Sequence, residues 1–74
     1  MEEIVVREMQ TGKLYYGGDP EGNPKFGYDL GLARRYPSDA KEVMEVISEL
    51  LSSTDSFYYA QLFDKAKNEL FYLN

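Results

Sequence analysis

Tyr36-Pro37-Ser38-Asp39, running into Ala40-Lys41-Glu42-Val43-Met44-Glu45-Val46-Ile47-Ser48-Glu49-Leu50-Leu51, is the stretch whose reading decides the fold. Pro37 and Ser38 stop whatever strand comes before, because proline has no N–H to give to a ladder. Ser38 or Asp39 can then cap a helix, its side-chain oxygen accepting from a free N–H of the first turn. Ala40, Val43, Met44, Ile47, Leu50 and Leu51 recur at helical spacing and form one apolar stripe. The polar run Ser52-Ser53-Thr54-Asp55-Ser56 ends the segment. The expectation is one amphipathic helix at about 38–52, whose stripe needs strands on either side to complete a core.

Upstream, Ile4-Val5-Val6-Arg7-Glu8-Met9 is β-branched and half alternating, a strand signal. Gly12, in Gln10-Thr11-Gly12-Lys13, suits the positive φ of a hairpin turn, and Leu14-Tyr15-Tyr16 reads as the returning strand. The turn formers from Gly17 to Pro24 lack the lysine spacing and the following helix of a phosphate loop, so they read as a mobile connection. Lys25–Leu30 and Leu32–Tyr36 are short and ambiguous. The second suits a third strand, with Arg34 and Arg35 on opposite sides. Downstream, Phe57–Phe63 and Leu70–Leu73 read as a hairpin with Asn68 in its turn. Tyr59, Leu62, Phe63, Ala66, Leu70 and Leu73 also fit a helical stripe, so a second helix competes. The fold expected is α+β: a single domain over 1–74, with a small antiparallel sheet packed on one amphipathic helix in the order ββ(β)αββ.

Seventy-four residues bury only roughly 60% of the surface that the unfolded chain exposes, so the domain's own core leaves it marginal. Without cysteine there is no disulfide, and without histidine the usual transition-metal ligands and nucleophile–base pairs are missing. No cofactor motif is present, and the pattern reads as that of a non-enzyme. Met1-Glu2-Glu3 lacks the basic start of a signal peptide, and no apolar run approaches the roughly 20 residues that span a bilayer. The chain therefore reads as soluble and cytoplasmic, with no membrane partner. A net charge of −5 argues against direct binding to nucleic acid.

Two surface features point to a partner. Glu42, Glu45 and Glu49 fall within one arc of the helix at about 100° per residue, opposite the Ala40/Met44/Ile47/Leu51 face. Glu45 and Glu49 repel at i,i+4 by roughly 0.2–0.5 kcal/mol. Glu49 also stands where a basic residue would gain roughly 0.3–1 kcal/mol from the helix dipole. Seven tyrosines are the second feature. Neighbours on one strand, Tyr15 with Tyr16 and Tyr58 with Tyr59, must point to opposite faces, so some should lie on a face the helix leaves open. Arg34, Arg35 and Lys25 are the local basic cluster, suited to a partner's phosphate or carboxylate or to pairing with Asp29 or Asp39. Paired carboxylates such as Asp19 with Glu21 match no EF-hand spacing.

Thr11-Gly12-Lys13-Leu14-Tyr15-Tyr16-Gly17-Gly18, then Tyr28-Asp29-Leu30, then Ala33-Arg34-Arg35-Tyr36-Pro37-Ser38 ahead of a helix resemble a pattern of small phage and prophage proteins. In those a hairpin ends in T-G-K-x-Y-Y, and an A-[KR]-R-[FY]-x-S segment leads into an amphipathic helix. The resemblance covers roughly the first two-thirds of the chain, and its motifs are structural. It implies a mobile-element source, where small acidic proteins often inhibit host machinery as anti-CRISPR or other anti-defence proteins and nucleic-acid mimics. The expected function is a noncatalytic inhibitor of a host protein, a nucleic-acid-handling enzyme. Its partner-binding residues would be Glu42, Glu45, Glu49, Tyr15, Tyr16, Tyr58, Arg34 and Arg35. The alternatives are a nucleotide-sequestering oligomer, such as a homodimer, with a tyrosine and arginine pocket between subunits, and an aromatic sheet that stacks bases.

Overall fold

A computed structural model describes residues 2–39, 41–64 and 69–72, and the side chains among them other than those of Glu2, Asp64 and 69–72. Its centre is strand β1 (Glu2–Glu8), where Ile4, Val5 and Val6 are all buried. Successive strand residues point to opposite faces, so three consecutive buried side chains require cover on both sides of the sheet. One edge of β1 pairs antiparallel with β5 (Tyr58–Asp64) from Glu2↔Asp64 to Glu8↔Tyr58. Two partners share its other edge. Strand β2 (Leu14–Gly18) meets it at Arg7↔Leu14, and the two-residue β4 (Tyr36–Pro37) at Glu3↔Pro37 and Ile4↔Tyr36. Outside these lie β3 (Pro24–Gly27) against β2 and β6 (Glu69–Tyr72) against β5, giving the order β3-β2-β1-β5-β6.

This is the expected α+β architecture, with the strands differently placed. The third strand comes from Pro24–Gly27. The Leu32–Tyr36 stretch is instead a 3-10 turn at Leu30–Leu32 followed by the short β4. Arg34 and Arg35 still diverge, one toward the Tyr36 ring and the other toward Phe63. The C-terminal segment is the hairpin and not the second helix, paired from Gln61↔Tyr72 to Asp64↔Glu69. Asn68, the expected turn residue, lies outside the described residues. Gly12 takes φ +77° in the β1–β2 turn, as the turn signal requires.

The stretch read as a connection from Gly17 to Pro24 is the end of β2, a tight turn at 19–23 and the start of β3. Asp19 organises it: the carboxylate accepts from the N–H groups of Glu21 and Asn23, each at 2.9 Å, and Lys25 stands 3.5 Å away. This is the local bonding that makes aspartate a turn residue.

Helix α1 (Glu42–Thr54) covers one face of the sheet, and its placement corrects three expectations. Lys41 occupies the N-cap position with helical backbone angles and no side-chain cap, so neither Ser38 nor Asp39 caps it. At the other end, Ser52–Thr54 belong to the helix instead of the linker. Asp55 closes it in the left-handed region at φ 57°, its N–H donating to the Leu51 carbonyl. The buried stripe is also turned from the one expected. Val43 and Leu50 are buried, and Val46 and Ile47 pack beside them. Met44 is 70% exposed and Leu51 38% exposed. Val43 and Met44 are about 100° apart around the axis, so the sequence offers two overlapping stripes and the sheet takes the one centred on Val43 and Leu50.

The opposite face of the sheet is covered too. Val5, Leu14, Ala33 and Phe63 form a second buried cluster, with Tyr16 and Leu30 against it. The 28–35 segment therefore serves as a lid where an open face was expected. Tyr16 fastens it, its hydroxyl oxygen accepting the Asp29 N–H at 2.8 Å. Its ring lies so close over Gly27 that no Cβ fits there. Leu50→Ala should cost about 2–5 kcal/mol in urea unfolding, while Met44→Ala should stay within about 0.5 kcal/mol of the parent. Equal losses would place the helix on the other stripe.

Candidate functional site

The polar face of α1 presents Glu42, Glu45 and Glu49 to solvent, with Met44 and Ser48 also exposed. The ion pairs among the described residues are Lys25–Asp19 and Arg35–Glu3, and neither involves these three glutamates. Glu42 and Glu45 lie in the first turn, where the helix dipole favours them. Glu49 has no such support, and no basic residue stands in the last turn.

The tyrosines expected at a contact surface are distributed differently. Tyr15 and Tyr58 lie on the helix side of the sheet with Phe26 between them. Phe26 is 5.7 Å from Tyr15 in a tilted arrangement and 5.7 Å from Tyr58 in a stacked one. Phe26 belongs to β3 and Tyr58 to β5, with β2 and β1 between them, so the sheet curls around this aromatic cluster. Tyr58 is buried, its hydroxyl 2.7 Å from that of Thr54, so its ring serves the core instead of a partner. Tyr15 is half-buried with one side toward solvent. Tyr16 is half-buried and holds the lid. Among the tyrosines with described side chains the exposed one is Tyr28, whose hydroxyl donates to the Thr11 carbonyl at 3.2 Å.

The two arginines separate. Arg34 is exposed, with its guanidinium 5.9 Å over the Tyr36 ring. Arg35 lies 4.7 Å over Phe63, donates to the Leu30 carbonyl at 3.2 Å, and stands 4.0 Å from the Glu3 carboxylate. It therefore pairs across to β1 and not with Asp29 or Asp39. A polar tie missed in the sequence lies on the same face. Arg7 donates to the buried Gln61 at 2.9 Å and to the Gly12 carbonyl at 2.6 Å. Arg7 and Gln61 are far apart in sequence, and only strand pairing brings them together.

A small cleft of about 110 Å³ opens where α1 passes the β2–β3 hairpin. Leu50 lies at its floor, Tyr15, Val46 and Pro24 form its walls, and Glu49 and Ser53 stand at its rim. Among the described residues no group of three or more His, Cys, Asp or Glu side chains could hold a metal ion, and no helix is long and apolar enough to cross a membrane. Known proteins give no guide: no family model matches the chain, and no curated protein and no solved structure matches it.

Among the described residues three groups have shifted titrations. Burial pushes the Tyr36 phenol above its usual range, reinforced by Tyr15 and Glu42 and opposed by Arg34. Tyr58 is raised first by burial, with the Thr54 hydrogen bond opposing and Glu8 adding to the rise. Asp19 is lowered, chiefly by the Asn23 N–H and further by the Glu21 N–H and Lys25. The folded tyrosines hold their protons more tightly than the unfolded chain. Their contribution to stability is thus intact below about pH 10 and is lost as the pH rises through the folded values. Absorbance titration of the phenolates should show a late-ionising fraction that shrinks in Tyr36→Phe; a single uniform transition would contradict the burial. The sign is opposite for Asp19. Its contribution is present above about pH 4 and is lost as the pH falls through its lower folded value. Asp19→Asn should therefore lose less stability than the parent between neutral and strongly acid pH, and an equal loss would remove Asp19 from the acid response.

Proposed function

We propose that this chain is a noncatalytic binding protein that blocks a basic macromolecular partner through the outer face of α1. The observation that carries this reading is the exposed array of Glu42, Glu45 and Glu49 without ion-pair partners among the described residues, beside the exposed Met44. Charge without internal partners speeds encounter with an oppositely charged groove and gives specificity. An exposed methionine beside it supplies adaptable apolar contact. The resemblance to small phage proteins supports the narrower form, an anti-CRISPR or other anti-defence inhibitor in which the glutamates stand in for a nucleic-acid backbone in a host enzyme's groove.

The alternatives have less support. A base-stacking sheet needs an open aromatic face, whereas α1 lies on one face and the 28–35 segment on the other. Of the two arginines offered for a tyrosine and arginine pocket between subunits, Arg35 is engaged with Phe63, Leu30 and Glu3, which leaves the exposed Arg34, itself over the Tyr36 ring.

The test is affinity capture from bacterial lysate with the tagged chain and with the Glu42→Lys/Glu45→Lys/Glu49→Lys variant. A discrete protein should be retained by the parent, released by added salt, and lost with the variant at unchanged circular dichroism. Retention of the same protein by both forms would refute the acidic-face reading.

A further inference from the structure

We infer that the cleft between α1 and the β2–β3 hairpin receives a lysine or arginine side chain from the basic partner protein, an inference that rests on the acidic-face reading above. The lining suits the two halves of such a side chain. Leu50, Val46 and Tyr15 supply the apolar contacts within the cleft, and long basic side chains lay their methylene stems along such surface while keeping the charged head in water. At the mouth, Glu49 supplies the carboxylate and Ser53 a hydroxyl for that head. The Tyr15 ring adds cation–π attraction where the cation passes over it.

Charge complementarity selects the occupant. Glu49 is the charged residue of the lining, and among the described residues it has neither a hydrogen bond nor an ion pair. An acidic or purely apolar side chain would leave that carboxylate repelled or uncompensated. The volume of about 110 Å³ suits one inserted side chain and not an extended helix or strand. The opposite wall is held independently of α1, because Asp19 bonds the turn that leads into Pro24. The cleft thus adds a specific anchor to an otherwise diffuse acidic face.

The test uses the full ¹⁵N-labelled chain titrated at low salt with a lysine decapeptide, alongside Ser53→Phe and Glu49→Gln. Ser53 is exposed on the helix, so phenylalanine there fills the mouth while Glu42, Glu45 and Glu49 keep their charge. The expected result is shifts of the Tyr15, Gly22, Val46 and Ser53 amides and roughly three- to tenfold weaker binding by either variant. Binding with shifts confined to the outer helix face and unaffected by Ser53→Phe would overturn the cleft and leave the acidic-face reading standing. No binding at all would overturn both. Unchanged thermal midpoints in the two variants exclude misfolding as the cause of a loss.

Discussion

Ile4, Val5 and Val6 are adjacent on β1, all of them buried, and that constraint governs the rest of the structure. A strand cannot turn three neighbouring side chains to one side, so burying all three demands two covers. The chain meets the demand unequally. Helix α1 covers Ile4 and Val6 with a regular stripe, while the irregular 28–35 segment covers Val5 together with Leu14 and Phe63. The irregular cover needs side-chain fastening because it has no ladder of its own. Tyr16 holding the Asp29 N–H and Arg35 holding the Leu30 carbonyl provide it.

That division explains how the aromatic and basic residues are used. Phe26 links the Tyr15 and Tyr58 rings under α1 and curls the sheet, and Tyr16 and Tyr36 are likewise taken into packing. A domain of this size has little apolar area to spare, so most of the described rings go to packing, while Tyr28 and Phe57 stay exposed. The arginines follow the same economy, with guanidiniums laid over Tyr36 and Phe63. The acidic side of α1 remains outside, without an ion-pair partner among the described residues. Surface character here is partly a residue of what the core consumed.

Of the candidate contact residues, the glutamates were legible because helical periodicity is local. Once α1 exists, Glu42, Glu45 and Glu49 must share an arc. The tyrosines were not legible in the same way. Alternation says that Tyr15 and Tyr16 part, but not that the 28–35 segment will lie over the second face. The cleft was hidden for a related reason, since Tyr15 and Glu49 are brought together only by the packing of α1 against the β2–β3 hairpin.

The sequence by itself determined the α+β class, the existence of α1, the first hairpin and the acidic arc, because each follows from short-range periodicity and turn chemistry. It offered the C-terminal hairpin beside a helix that fitted nearly as well. Tertiary structure decided that choice through the pairing of β5 along the whole of β1. It also set the rotation of α1. Val43 and Met44 both belong to apolar stripes, and only contact with Ile4, Val6 and Tyr36 makes one stripe buried and leaves the other in water. The helix start moved past Ser38 and Asp39 because Tyr36 and Pro37 are committed to pairing with β1. Local signals name the elements, and long-range pairing chooses among the arrangements that those signals leave nearly equal in free energy.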